Sequence, residues 1–296
     1  MSDLKLQGCF TAIVTPFTKE NAVDYRSLKN LVNWQIDSGI TGLVPCGTTG
    51  EGATLETAEY QKVISTVVEE VNGRVPVIAG AGSNSTSKAH ELARLVKEAG
   101  ADYILSVCPY YNKPTQEGLY QHFKAISESS ELGVVLYNVP GRTSVNMLPE
   151  TTLRLAELEN IVAVKEASAN LIQIMEIIKH KPNDFSVLSG DDQLAMHLVA
   201  SGGDGVISVV ANETPAEFSQ LVKEALAGNF QKAREIQYTL LNLMNLNFIE
   251  SNPIPVKTAL ALMGRIKEVF RLPLVKISDK NRALLTNELK NLNLID

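Results

Sequence analysis

Eight short aliphatic and β-branched runs, each followed by a longer stretch of helical period, constrain this chain more than any other feature of its sequence. The runs cover residues 10–14, 42–44, 75–79, 103–107, 134–137, 161–164, 185–188 and 206–210. They are continuously apolar rather than alternating, as parallel strands buried on both faces are. Parallel neighbours need a crossover between them, and segments such as Leu28, Leu31, Val32 and Ile36, or Leu92, Leu95, Val96 and Ala99, have the spacing of one helix face. Ser38-Gly39, Ala99-Gly100 and Ser201-Gly202 each close a helical segment just before a strand, where a left-handed residue is commonly required. Eight strand–helix units over about 210 residues match an α/β fold of the (β/α)8 TIM-barrel type. A doubly wound open sheet is the alternative, and eight units fit closure better. After Val210 the strand signals stop, and residues 215–227, 229–248, 253–263 and 279–292 read as helices. The expectation is a barrel over residues 1–225 with a C-terminal helical extension over 226–296.

Composition narrows the function. Of 296 residues, 33 are acidic and 27 basic, a net charge of −6 that leaves no basic stripe for nucleic-acid phosphates. No apolar run approaches the ~20 residues of a membrane span. Met1-Ser2-Asp3-Leu4-Lys5 has no apolar core of a secretion leader, and Cys9, Cys46 and Cys108 are odd in number and set in apolar runs. Reduced core thiols and a cytoplasmic location are expected. His90, His122, His180 and His197 show no metal spacing, so neither a metal nor an organic cofactor is expected.

In a barrel the active site lies at the C-terminal ends of the strands. Gly47-Thr48-Thr49-Gly50-Glu51 follows the second strand; its glycines let a ligand approach the backbone, and its hydroxyls can serve an anion. A tight strand-to-helix turn capped by threonines accounts for it equally well. Gly80-Ala81-Gly82-Ser83-Asn84-Ser85 has a dinucleotide-loop look but lacks the third glycine and the distant acidic residue. Tyr110-Tyr111 ends the fourth run and Tyr137 to Arg142 the fifth, offering phenols for proton transfer and a guanidinium fork for a carboxylate. A packed tyrosine and a surface arginine would account for either segment alone. In Ile161-Val162-Ala163-Val164-Lys165-Glu166, strict alternation puts Ile161, Ala163 and Lys165 on one face and Val162, Val164 and Glu166 on the other. If the valines meet the outer helices, Lys165 points into the barrel, where desolvation favours the neutral amine that attacks carbonyl carbon. The alternative is a lysine that reaches up to the rim. Asp191-Asp192 after Ser189-Gly190 could bind a cation, but it reads better as the cap of a helix beginning near Gln193.

Taken together, Gly47-Thr48-Thr49-Gly50-Glu51, Pro109-Tyr110-Tyr111-Asn112, Tyr137-Asn138-Val139-Pro140-Gly141-Arg142-Thr143, Val164-Lys165-Glu166-Ala167, Gly205-Val206-Ile207-Ser208-Val209 and Asn252-Pro253-Ile254-Pro255-Val256-Lys257 resemble the dihydrodipicolinate synthase family of pyruvate-dependent class I aldolases. The resemblance covers nearly the whole chain, in family order. It implies a barrel with a helical C-terminal region, a homotetramer built as a dimer of tight dimers, and condensation of pyruvate with L-aspartate 4-semialdehyde. By position it makes Lys165 the Schiff-base lysine. Tyr137, Thr48 and Tyr111 become a proton relay, with Tyr111 entering from the neighbouring subunit. Arg142 holds the semialdehyde carboxylate, Thr48 and Thr49 hold that of pyruvate, and Ile207 offers a backbone carbonyl near the lysine. N-acetylneuraminate lyase or another pyruvate aldolase is the runner-up, and Thr48 beside Thr49 together with Arg142 favours the synthase. A catalytically silent barrel serving as a binding scaffold is the reading from another class. Lysine-sensitive members of the family bind lysine near positions matching Thr57, Tyr60, Lys88 and Tyr110. Lys88 reverses the charge found there, so lysine inhibition is expected to be weak or absent.

Overall fold

The computed structural model describes residues 5–296, so the leader reading of Met1 to Leu4 lies outside the described residues. Strands and helices alternate as β1 (Gly8–Thr11), α1 (Tyr25–Asp37), β2 (Gly42–Leu43), α2 (Thr57–Val71), β3 (Ile78–Gly80), α3 (Thr86–Glu98), β4 (Tyr103–Val107), α4 (Gln116–Ser129), β5 (Gly133–Asn138), the short α5 (Pro140–Thr143), α6 (Pro149–Ala156), β6 (Ile161–Glu166), α7 (Leu171–His180), β7 (Ser186–Ser189), α8 (Ala195–Ala200), β8 (Gly205–Ser208) and α9 (Pro215–Leu226). All eight strands are parallel, in the order β2-β1-β8-β7-β6-β5-β4-β3. The seam between β2 and β3 is closed by a parallel bridge from Leu43 to Val77 and by the Gly80 amide, which donates to the Pro45 carbonyl at 3.0 Å. The result is the expected (β/α)8 barrel. Helices α10 (Phe230–Leu246), α11 (Ile254–Leu262) and α12 (Asp279–Asn291) follow it. No helix among the described residues is long and apolar enough to cross a membrane.

Two apolar layers follow from the pleat. Phe10, Ile78, Leu105, Val135, Ala163, Leu188 and Ile207 fill the barrel interior, while Leu43, Ile104, Leu136, Val164, Val187 and Val206 meet the surrounding helices. Gly39, Gly100 and Gly202 take φ of +88°, +86° and +96° after their helices, as the punctuation predicted. The alternation expected for β6 is broken at its start. Val134 pairs with Ile161 but Val135 pairs with Ala163, so Val162 is the extra residue of a bulge. Ile161 therefore lies with the outer layer, and Val162 packs against the inner one, the reverse of strict alternation. From Ala163 onward the pleat is regular, and Lys165 keeps the inner face.

Strand ends also differ from the apolar runs. The last strand stops at Ser208 although Val209 and Val210 are apolar, because both amides are taken by the Asp192 carboxylate, at 3.1 and 2.8 Å, and the chain turns into a 3-10 segment over Val210–Asn212. Glycines 80 and 82 have structural reasons unrelated to phosphate. A Cβ on Gly80 would lie 2.4 Å from the Cys46 carbonyl, and one on Gly82 would lie 2.4 Å from the Val107 amide. Backbone cannot give way as a flexible side chain does. Gly80→Ala should accordingly destabilise the protein by about 2 kcal/mol or more, measured from the urea midpoint, whereas a loss below about 0.5 kcal/mol would mean that the seam is not close-packed.

Candidate active site

Lys165 and Tyr137 are register partners on β6 and β5, both facing inward, and the lysine Nζ sits 4.4 Å from the centre of the tyrosine ring. Lys165 is only 6% exposed. Burial pulls its ammonium down to about 8; the Asp192 charge opposes that shift and the Arg142 charge adds to it. At pH 7 roughly one amine in ten is then uncharged, against fewer than one in a thousand for an ordinary lysine. Burial pushes the Tyr137 phenol up, while Arg142 and a hydrogen bond with Thr48 pull it back. Gly190, after β7, makes room for the lysine: a Cβ there would lie 3.0 Å from Lys165 Cε and 2.7 Å from the Ala167 Cβ.

Above the amine opens a cavity of about 510 Å3 lined by Thr48, Thr49, Tyr137, Arg142, Lys165, Gly190 and Asn252. It shares Thr48, Tyr137 and Arg142 with a larger cavity of about 620 Å3 that runs outward past Thr57, Lys88, Glu91 and Tyr110. Five sequence-predicted site residues thus meet in one space. Arg142 stands at its rim on α5 and donates from Nη2 to the Asn252 carbonyl at 3.3 Å. Thr49 is buried and accepts from Asn252 Nδ2 at 3.0 Å, which leaves its own O–H free to donate, and Thr48 beside it is exposed. Ile207 lies in the inner layer on β8, paired with Phe10. Tyr111 is apart from these. It is 88% exposed, its φ is +73°, and it lines neither cavity. A non-glycine residue in the left-handed region costs about 1 kcal/mol or more, and the chain holds an outward-facing tyrosine there. The turn is braced by Asn112, whose Nδ2 donates to the Asn84 carbonyl at 2.9 Å.

The threonine loop is held from beneath by contacts that local sequence does not reveal. Gly50 and Gly52 pack on the backbone of Cys46, where a Cβ on either would lie 2.8 Å from its amide or 2.2 Å from its carbonyl. Glu51, at φ +52°, forms a buried ion pair with Lys257 of α11, whose Nζ also lies 4.2 Å from the centre of the Phe17 ring. Close backbone packing accounts for Gly50, whereas Gly47 has open space before it. The signal for the ion pair was a lone lysine in the otherwise apolar run Ile254-Pro255-Val256-Lys257-Thr258-Ala259-Leu260, which needs a buried partner. Asp191 caps the turn, accepting from the Gln193 amide at 3.3 Å, but Asp192 does not cap as expected: it is buried and turned toward the end of β8. Cys9, Cys46 and Cys108 are buried free thiols, and burial keeps Cys46 and Cys108 protonated. Among the described residues no group of three or more His, Cys, Asp or Glu could hold a metal ion.

Residues 5–292 match the model of the dihydrodipicolinate synthetase family. The chain belongs to that family. A 4-hydroxy-tetrahydrodipicolinate synthase of Koribacter versatilis is 54% identical over 283 residues, 95% of this chain and 94% of the relative. Another, from Chlorobium phaeobacteroides, is 51% identical over the full length of both chains. Among solved structures, the dihydrodipicolinate synthase of Acinetobacter baumannii, complexed with pyruvate, superposes with a TM-score of 0.96 at 47% identity, covering 98% of this chain and 99% of that one. Membership in the dihydrodipicolinate synthetase family agrees with the barrel and its single inward lysine-bearing strand. The buried Glu51–Lys257 pair gives the site a testable foundation. Glu51→Gln or Lys257→Met alone strands the surviving partner and should cost about 3 kcal/mol in thermal unfolding, while the double variant should cost clearly less than the sum of the two. Additive losses would show that the two groups do not act as a pair.

Proposed function

We propose that the chain catalyses the reaction of 4-hydroxy-tetrahydrodipicolinate synthase, the condensation of pyruvate with L-aspartate 4-semialdehyde through an imine on Lys165. What carries the reading is a buried lysine whose ammonium is pulled down to about 8 by burial, facing a cavity lined by hydroxyls and a guanidinium. The Lys165 nitrogen attacks the keto carbon of pyruvate, and the carbonyl electron pair moves to oxygen. That oxygen leaves as water, so that amine, ketone and one proton give iminium and water. Thr48 and Tyr137, which line the cavity together, supply and remove protons. Loss of a methyl proton gives the enamine, whose carbon bonds to the aldehyde. The semialdehyde amine then displaces the lysine as the ring closes. Thr48 and Thr49 hold the pyruvate carboxylate, Ile207 contributes its carbonyl beside the lysine, and Arg142 at the rim takes the semialdehyde carboxylate in a planar fork.

Tyr111 joins this relay only if it enters the cavity of a second copy, which its outward-facing, strained position supports. The working unit is then a dimer at least, and we take the homotetramer of the family as the assembly. A cytoplasmic location goes with this reading. The outward cavity collects Thr57, Tyr60, Lys88 and Tyr110, and the Tyr60 hydroxyl is already spent on the Gly80 carbonyl at 2.5 Å. With a cation at Lys88, a ligand carrying two ammonium groups is repelled.

Incubation with pyruvate and borohydride should leave a reduced pyruvyl group on the Lys165 peptide and none in Lys165→Ala; a label that persists in the variant would refute the assignment. Arg142→Ala should raise the KM for the semialdehyde at least tenfold while leaving that for pyruvate within about twofold. Equal effects would remove the arginine from the second substrate. Mixing Tyr111→Phe with Lys165→Ala chains should recover activity if the tyrosine is given in trans, and no recovery would place it in its own chain. Millimolar lysine should inhibit by less than about a quarter, and strong inhibition in that range would contradict the role given to Lys88.

A further inference from the structure

Asp192 has no place in the steps above, yet its setting is unusual. Its side chain is 1% exposed, it forms no ion pair among the described residues, and it does not line the cavity beside Asp191. One carboxylate oxygen accepts the Val209 and Val210 amides at 3.1 and 2.8 Å, and the other has no donor. Those amides close the end of β8, so the carboxylate is fixed in the wall immediately behind the substrate cavity. The chain reaches it from Gly190, which packs directly on the Lys165 stem, two residues earlier. A bare buried anion is costly, and it is kept only where something offsets it.

We propose that Asp192 is a charge-positioning residue, a buried anion that serves as counter-charge to the positive nitrogen formed on Lys165 during the reaction. This rests on the imine reading of Lys165. The iminium carries one positive charge that the free amine lacks, and a fixed negative charge behind the wall lowers the energy of forming it without touching substrate. The other groups around the pair do not supply that charge. Tyr137 on β5 is pushed up by burial and Arg142 on α5 is a cation. Burial pushes Cys9 on β1 and Glu213 before α9 well up, and of the two neighbouring aspartates it is the charge of Asp192, not Asp191, that acts on Lys165. Asp192 is itself pushed to about 6 by burial, eased by the Val210 amide and the Ser208 hydroxyl, so it is ionised at neutral pH.

The test is the pH dependence of pyruvate-dependent borohydride trapping, with the adduct mapped by mass spectrometry, in the wild-type enzyme and Asp192→Asn. The substitution keeps an acceptor for the two amides and removes the charge. Without the anion the Lys165 ammonium is destabilised, so the acid limb of the variant should move down by about one pH unit. At pH 9, where the amine is free in both, the variant should trap several-fold less iminium. Coincident limbs, or a shift upward, would overturn the proposal. Wild-type label at Lys165 with an unmoved limb leaves the imine reading standing and removes only Asp192; no wild-type label at Lys165 removes both. Should that variant fail to fold, Asp192→Glu, which keeps the charge and the acceptor, is compared with the wild type at pH 9: trapping within about twofold supports the proposal, and a several-fold loss would overturn it.

Discussion

A lysine amine taken out of water by the inner layer of a parallel barrel is the constraint on which the rest of this structure depends. The interior of a (β/α)8 barrel is a packed core, not a pore, and β6 places Lys165 at its upper edge above Ala163, with Leu188 beside it as its register partner. The uncharged amine has reactivity that the same residue on the surface would lack. The cost of such burial is limited by opening the cavity at the nitrogen and by placing the Tyr137 ring under it, whose face attracts whatever positive charge remains.

The groups that would receive substrate are placed by anchors remote in sequence. Glu51 and Lys257, 206 residues apart, fix the threonine loop to the helices that follow the barrel, and Asn252 ties Thr49 and Arg142 together from the same direction. The C-terminal segment is therefore part of the site's floor and rim as well as a cover for the barrel. Gly80 and Gly52 let the seam strand and the loop approach one carbonyl, that of Cys46, so loop position and barrel closure share a single packing constraint. A change that opens the seam would move the hydroxyls as well.

Much of this is legible in the amino-acid sequence. Eight apolar runs separated by helical periods gave the barrel because both signals are local and repeat. The inward direction of Lys165 is legible because the pleat between Ala163 and Lys165 is regular, even though the bulge at Val162 defeats the same argument for the residues before it. What stayed hidden depends on contacts between distant segments. The end of β8 is set by a carboxylate from the loop after β7, not by the apolar run, and a caps-and-turns reading of Asp191-Asp192 described the first residue and missed the second. The Gly80-to-Ser85 loop mimics a phosphate site since close backbone packing and ligand approach ask for the same residue. Tyr111 is the clearest limit: it points away from the cavity, and the role proposed for it needs a second copy of the chain.

The central claim is that the barrel interior, before any substrate arrives, has already shifted the Lys165 ammonium toward release of its proton. A direct titration of the free enzyme tests it: lysine labelled with carbon-13 at the ε position, with the Lys165 resonance assigned by its loss in Lys165→Ala. The account predicts a midpoint at about 8, well apart from the bulk of surface lysines. A Lys165 resonance titrating with them, near the usual ~10.4, would contradict it.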